Sequence, residues 1–255
     1  MRAKLLTLVG VIGIAIGTTG NAVCAEIKVL TAGAYKQVVL ALQPAFEKQT
    51  GHKLIVDNGT VGQLVKRIDD GEAFDVVVVS PGAIDELIKK GKIAAGSRVV
   101  LARVGVGVMV KEGAARPDIS SVDAFKKSLL AAKSVAYIDP ASGGSSGIYL
   151  DGLFTKLGIS DQIKPKAKLI NGGYVAEHIA KGEAEIGIHQ ISEILPVKGV
   201  TLVGPLPAEI QNYTTYTAGL GAATKVSEPA KALIKELSGP AAEPVLKSKG
   251  MTPGA

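Results

Sequence analysis

The sequence predicts an α/β protein in which helices cover both faces of parallel sheets. Short β-rich runs alternate with amphipathic helical runs along the chain, the order that produces parallel strands joined by helices. Val76–Val79 is a continuous apolar run, typical of a strand buried on both faces. The roughly 230 residues after position 25 are enough for two lobes of ordinary size.

The first half of the chain gives the clearest elements. Pro44 lies inside the first helix and is expected to kink it or to mark a restart. Ser120 or Ser121 is expected to cap the fourth helix. The predicted strands are 27–31, 53–56, 75–80 and 135–138, and the predicted helices are 35–49, 61–68, 81–90, one after residue 121, and 145–157.

The second half continues the alternation. Its predicted strands are 168–170, 184–189 and 201–203, and its predicted helices are 174–181, 228–237 and 241–249. Two extended stretches, 99–110 and 213–221, are longer than the other predicted strands. They are therefore candidates for connections that run between two parts of the molecule.

The N-terminus has the order of a secretory signal. Arg2 and Lys4 precede an uncharged run at 5–17, and small or polar residues follow it. Thirteen residues are fewer than the roughly 20 that an apolar helix needs to cross a membrane. We therefore predict export to the periplasm, with cleavage near Ala25 or, alternatively, after Ala22.

Composition limits the possible partners. Cys24 is the only cysteine and is expected to leave with the signal, so the mature protein has to fold without disulfides. The net charge is +6, and the basic residues are spread along the chain without a stripe that alternates with aromatic residues. A solvated surface is therefore expected, not a nucleic-acid interface.

Glycine and small polar residues cluster where strands turn into helices. In an open α/β sheet, ligands bind outside the carboxyl ends of the strands, where helix N-termini present unpaired N–H groups. Four such turns converging on one cleft would bind an anion, although each is also compatible with ordinary turn and cap chemistry. The turns are 31–35, 58–62, 139–147 and 171–174, and their candidate hydroxyl donors are Thr60, Ser142, Ser145 and Ser146.

Catalytic, metal and cofactor motifs are not predicted. The glycine-rich segment 143–147 lacks the lysine of a P-loop and the serine spacing of a hydrolase elbow. His189 ends a strand and is placed to approach a cleft, but no second metal ligand stands at a suitable spacing. Tyr213 and Tyr216 are expected to line a strand. The sequence thus predicts a binding protein without enzymatic activity, cofactor or metal.

Several segments, in order along the chain, resemble the molybdate-binding proteins of ABC importers, which are class II periplasmic solute-binding proteins. The segments are 42–51, 62–80, 139–149, 182–188 and 238–251. The resemblance implies a two-lobed α/β fold with a ligand cleft between the lobes and two extended crossings. It implies lobe one at 26–104 plus 217–255 and lobe two at 105–216.

The resemblance also implies where the ligand binds. Two serines of the family fall on Ala34 and Val61, and a tyrosine of the family falls on Gln190. The implied ligand-binding residues are therefore Ala34, Tyr35, Thr60, Val61, Ser145, Ser146, Gly172 and Gln190. Because a buried oxyanion needs many donors, the lost hydroxyls leave two ligand classes open, a molybdate-like or tungstate-like oxyanion and a small organic acid.

The expected partner is an ABC permease in the inner membrane, and the expected state is a monomer. Two alternatives remain open. One is a ligand-sensing module that docks on a receptor, and the other is an exported enzyme on the same fold.

Overall fold

The computed structural model describes residues 24–254, and the predicted signal lies outside this range except for Cys24 and Ala25. Within it, no helix is both long and apolar enough to cross a membrane. The described strands are β1 (Glu26–Ala32), β2 (Lys53–Gly59), β3 (Val76–Val79), β4 (Val99–Lys111), β5 (Val135–Ile138), β6 (Ala167–Ile170), β7 (Ile186–Gln190), β8 (Val200–Pro205), β9 (Tyr213–Leu220) and β10 (Met251–Pro253).

The α-helices fill most of the intervals between these strands. In the described range they are α1 (Gly33–Thr50), α2 (Val61–Asp69), α3 (Pro81–Lys89), α4 (Val122–Ala131), α5 (Ser145–Lys156), α6 (Ser160–Ile163), α7 (Val175–Lys181), α8 (Ile191–Ile194), α9 (Ser227–Ser238) and α10 (Ala242–Ser248). The predicted α/β class is confirmed. The short elements α6, α8 and β10 were not predicted, because three or four residues carry too little periodicity to detect.

The strands form one curled, mixed sheet in the order β2-β1-β3-β9-β4-β7-β5-β6, with β8 and β10 also paired to β4. β1 and β5 pair in parallel with their neighbours, as predicted. The expectation of purely parallel sheets is wrong for β4 and β9, which pair antiparallel with β3, with β7 and with each other. These two strands carry the chain out of one lobe and back, so they must run in opposite directions.

β4 joins the two lobes. Its first half, from Val99 to Gly105, pairs with β9, whereas Val106 to Val110 pair with β7. Buried clusters lie on either side of this change of partner, one set around Val29 and Val77 and the other around Val108 and Ile188. The implied lobe boundaries remain a prediction, and Tyr216, assigned there to lobe two, packs in a lobe-one cluster.

α1 continues through Pro44, so the predicted restart is wrong. Leu42 and Phe46, on either side of the proline, are buried in the lobe-one core. This packing compensates for the one helical hydrogen bond that proline cannot donate. One long helix therefore leads away from the end of β1.

Candidate functional site

A cavity lies between the lobes, at the carboxyl ends of β1, β2, β5 and β7. Lobe one contributes the turns before α1 and α2, and lobe two contributes the start of α5 and the end of β7. The lining residues are Ala32, Gly33, Ala34, Asn58, Gly59, Thr60, Val61, Ile138, Gly144, Ser145, Ser146, Gly173, His189, Gln190, Glu193 and Tyr216.

Three helices of eight or more residues begin at this cavity: α1, α2 and α5. The first N–H groups of a helix have no partner within that helix, and the helix dipole places partial positive charge there. The lining residues include no lysine or arginine. The positive potential of the cavity thus comes from the backbone.

Six of the sequence-predicted residues lie around the cavity: Ala34, Thr60, Val61, Ser145, Ser146 and Gln190. Ala34 and Val61 present methyl groups where the resemblance places hydroxyls. Gln190 donates from Nε2 to the Thr214 hydroxyl at 2.7 Å, and its buried Oε1 has no protein partner among the described residues. The cavity therefore combines polar and apolar walls.

The Thr60 hydroxyl does not point freely into the cavity, as the sequence suggested. It accepts from Gln63 N at 3.1 Å and donates to the backbone carbonyl of Ser142. The first bond caps α2 and the second joins the lobes. Thr60 therefore fixes the position of the α2 N-terminus, and its hydroxyl is already engaged.

Two predicted residues do not line the cavity. Tyr35 is fully buried in the lobe-one core, and its hydroxyl donates to Leu237 O at 3.0 Å. A helix turns by about 100° per residue, so the residue after Ala34 points to a different side. Gly172 has φ of +103° and lies against the side chain of Gln63, whereas the next residue, Gly173, reaches the cavity.

We expect Tyr35→Phe to lower the free energy of unfolding by about 1–2 kcal/mol without changing ligand affinity, because it removes a buried hydrogen bond outside the cavity. Chemical denaturation and titration calorimetry measure the two quantities. Tyr213→Phe, at an exposed position, is the control and should change neither. Weaker ligand binding by Tyr35→Phe at unchanged stability would mean that Tyr35 contributes to the ligand-binding site after all.

Further contacts bring the lobes together beside the cavity. Gly62 N donates to Gly143 O at 3.2 Å, Gln63 Nε2 to Asn171 O at 3.2 Å, and Gln37 Nε2 to the Tyr174 hydroxyl at 2.8 Å. The backbones of Gly62 and Gly143 are in contact. A Cβ added at Gly62 would lie only 2.8 Å from Gly143 Cα. The structure thus holds the two lobes in direct contact.

A buried histidine and a buried glutamate meet at the cavity. His189 Nε2 lies 3.3 Å from Glu193 Oε2, and both side chains are nearly inaccessible to solvent. The other carboxyl oxygen of Glu193, Oε1, faces lobe one. A Cβ added at Gly33 would lie only 2.5 Å from this oxygen. A glycine at position 33 therefore makes room for this carboxyl at the N-terminus of α1.

Burial keeps both groups of this pair neutral. Desolvation raises the pKa of Glu193 to about 8 and lowers the pKa of His189 to about 3. Burial also raises the pKa of Tyr216, and the nearby charge of Glu193 adds to that effect. At neutral pH the cavity thus contains a carboxylic acid, a neutral imidazole and a phenol.

Sequence reasoning missed Glu193 and treated Tyr216 as a strand residue. Glu193 belongs to the short helix α8, which periodicity did not detect. A signal was present, since Glu193 stands among the apolar residues Ile191, Ile194 and Leu195 and four positions after His189. Glutamate is almost never fully buried unless it has a partner. Across residues 24–254, no cluster of three or more potential ligand side chains is arranged to hold a metal.

Comparisons with known proteins show which proteins this chain resembles. A family model described as bacterial extracellular solute-binding protein matches residues 27–252. An aconitate isomerase from a Pseudomonas species is 35% identical over 231 residues, covering 88% of this chain and 87% of that protein. The molybdate-binding protein ModA of Azotobacter vinelandii is 29% identical over 235 residues, covering 89% of each chain.

A solved structure shows the same fold. The periplasmic molybdate-binding protein of Azotobacter vinelandii has a TM-score of 0.77 at 22% identity, covering 90% of this chain and 100% of that one. The predicted two-lobed fold and the resemblance to molybdate-binding proteins are thereby confirmed. With the family model matching nearly every described residue, the chain belongs to the bacterial extracellular solute-binding proteins, and it is similar to a molybdate-binding protein of that kind.

Proposed function

We propose that this protein is a periplasmic binding protein that captures a small organic acid through its carboxylate groups and delivers it to an ABC importer. The observation that carries the proposal is the make-up of the cavity, in which three helix N-termini converge on the methyl groups of Ala34 and Val61. Backbone N–H groups bind the carboxylates, and the apolar walls contact the carbon skeleton.

The apolar walls formed by Ala34 and Val61 disfavour a tetrahedral oxyanion. Such an ion presents oxygens in every direction, and each oxygen that loses water without gaining a donor raises the free energy of binding. The hydroxyl of Thr60 is already bonded to Ser142 O, and one N–H of the Gln190 amide is already bonded to Thr214. An organic acid, with carboxylates at its ends and carbon between them, needs fewer donors.

Glu193 supports this choice. Burial raises its pKa to about 8, so at neutral pH it is mainly a neutral acid that donates a hydrogen bond to an incoming carboxylate. Ionisation of Glu193 would weaken the binding of an anion without abolishing it. We therefore assign Glu193 to the ligand-binding residues, together with Ala34, Val61, Ser145, Ser146 and Gln190.

The wider setting is part of the proposal. The extracellular family supports periplasmic location after signal cleavage near Ala25, and the similarity to a molybdate-binding protein supports an ABC permease as the partner of a monomer. The contacts of Gly62 with Gly143 and of Gln63 with Asn171 are those of a closed form, which hinges open to admit and release the ligand.

Thermal unfolding with a panel of ligands tests the proposal. Wild-type protein is heated with molybdate, tungstate, sulfate, succinate, citrate, and cis- and trans-aconitate. A ligand at 100 times its Kd stabilises by about 2.7 kcal/mol, so binding gives a clear rise in Tm. We expect one or more carboxylates to raise Tm and the inorganic oxyanions to have no effect. Stabilisation by molybdate alone would overturn the choice of an organic acid.

A second candidate function, isomerisation of aconitate, is favoured by a similar protein together with the chemistry of the cavity. A relative with 35% identity is an aconitate isomerase, and the cavity contains a buried acid next to an imidazole. Binding and isomerisation need the same cleft for an unsaturated tricarboxylate. Incubation of the purified protein with either isomer, followed by chromatography of the mixture, distinguishes the two functions. Conversion of one isomer into the other supports the enzyme, and binding without conversion supports the transport protein.

A further inference from the structure

A cluster of three titratable side chains meets at the cavity between the lobes. Glu193 comes from α8, His189 from the end of β7 and Tyr216 from the crossing strand β9. The carboxyl of Glu193 spans the gap, with Oε2 3.3 Å from His189 Nε2 and Oε1 against Gly33 at the start of α1. The carboxyl therefore lies where both lobes meet the ligand space.

Burial of these titratable groups lowers the stability of the fold, and ligand binding alone does not require it. Burial of an acid away from water destabilises the fold once the acid ionises, and a neutral amide of the same shape would donate a hydrogen bond without that cost. His189 Nδ1 is likewise buried and has no partner among residues 24–254. Strongly perturbed groups in a cleft are typical of sites that move protons.

Of the three side chains in the cluster, Glu193 is the one best suited to take up and return a proton near neutral pH. The titratable groups near it are His189, Tyr216 and Tyr174, while α1 and α2 contribute only uncharged residues to the lining. His189 is held neutral and the tyrosines lose protons only at high pH, because burial raises their pKa. The pKa of Glu193, about 8, is near neutral, which suits a group that both takes and returns a proton.

We propose that Glu193 transfers a proton between two carbon atoms of an unsaturated carboxylate held in this cleft, with His189 as the residue that positions its carboxyl. The inference rests on the proposed function, in that the ligand is a carboxylate bound between the lobes. It adds the residues that act on the substrate, which is a carboxylate with a methylene group next to a carbon–carbon double bond.

The step balances without another reactant. The Glu193 carboxylate removes a proton from the methylene carbon, and the electron pair of the broken C–H bond spreads over the allylic carbons and the adjacent carboxylate. N–H groups at the helix N-termini stabilise this charge as it develops. The Glu193 O–H bond then breaks, and its proton forms a C–H bond at the far allylic carbon. The double bond has moved, and Glu193 is again a carboxylate.

The experiment compares wild type with Glu193→Gln, using cis- and trans-aconitate as probes. Proton NMR in deuterium oxide follows both isomerisation and deuterium entry at the methylene carbon, and titration calorimetry measures binding. General base catalysis contributes about 10²–10⁴-fold. We therefore expect Glu193→Gln to bind within a few-fold of wild type and to lose at least about 100-fold in both exchange and isomerisation. Wild-type kcat/KM should rise about tenfold per pH unit up to about pH 8 and then level off.

A matched control exists on the surface. Glu183 also contacts a histidine, with its Oε2 2.6 Å from His178 Nδ1, but this pair is exposed. Glu183→Gln should leave isomerisation, exchange and binding unchanged. His189→Asn should lower kcat and shift the pH profile, because it changes the surroundings of the carboxyl but leaves the carboxyl in place.

The outcomes separate the two proposals. Full activity of Glu193→Gln overturns the role of Glu193. A wild type that binds aconitate but neither exchanges nor isomerises it overturns proton transfer and leaves the binding function standing, while a wild type that binds no carboxylate overturns both. Should Glu193→Gln fail to fold, Glu193→Asp decides, since withdrawal of the carboxyl by one methylene should slow exchange about 100-fold.

Discussion

Replacing Gly62 by alanine is expected to weaken ligand binding by roughly 10- to 100-fold while lobe one keeps its fold. A Cβ at this position would lie 2.8 Å from Gly143 Cα and 3.0 Å from Ser142 O, both in the opposite lobe. Overpacking of this kind costs about 1–3 kcal/mol, and each 1.4 kcal/mol is tenfold in affinity. In the proposed hinge motion this cost falls only on the closed form, because within α2 alanine is a better helix former than glycine.

Titration calorimetry with the stabilising carboxylate measures this effect. Gly152→Ala is the control, because Gly152 lies within α5 and a Cβ there meets no atom within 4 Å. The control should keep the wild-type affinity, and both variants should be as stable as wild type or up to about 1 kcal/mol more stable without ligand. Wild-type affinity in Gly62→Ala would contradict the proposal that ligand binding requires this lobe contact.

The second large effect concerns stability as a function of pH. The pKa of Glu193 is raised by burial from 4.5 to about 8, so between these values the folded protein retains a proton that the unfolded chain has lost. Stability contributed by this group is thus complete below pH 4.5 and falls as the pH rises through 8. The pKa of His189 is lowered from 6.5 to about 3, which gives the opposite slope between pH 3 and 6.5.

Between pH 4.5 and 6.5 the pH dependences of stability due to Glu193 and His189 cancel. Above pH 6.5 only the dependence due to Glu193 remains. One proton changes stability by about 1.4 kcal/mol per pH unit, so we expect a loss of about 2 kcal/mol between pH 6.5 and 8. Urea denaturation at several pH values checks this. Glu193→Gln should remove the loss and the exposed Glu183→Gln should retain it. The same loss in Glu193→Gln would mean that another group titrates.

Much of the fold follows from local sequence. The run Val76–Val79, the glycine-rich turn before α5 and the long stretch that forms β4 were each apparent from composition and spacing. These features are local, because side-chain shape and turn chemistry act over a few residues. The antiparallel course of β4 and β9 was missed because pairing direction depends on partners far along the chain.

The site was predictable only in part, for the same reason. Ser146 was predicted because it stands in a turn that follows a strand, and such turns meet at one edge of a sheet, whereas Ala34 was implied by the family resemblance. Tyr35 is one residue from Ala34, yet it points into the core toward Leu237. A resemblance between sequences identifies a turn, but not the direction of each side chain within it.

The sequence by itself determined that this is an α/β chain in which turns rich in glycine and small polar residues follow the strands. Only the tertiary structure decided that Glu193 faces Gly33 and His189 at the cavity, and that Thr60 joins the lobes and caps α2. The physical reason is that the protonation state of a group and the partners of a hydroxyl depend on burial and on atoms far away in sequence. Such atoms meet only when both lobes have folded and lie against each other.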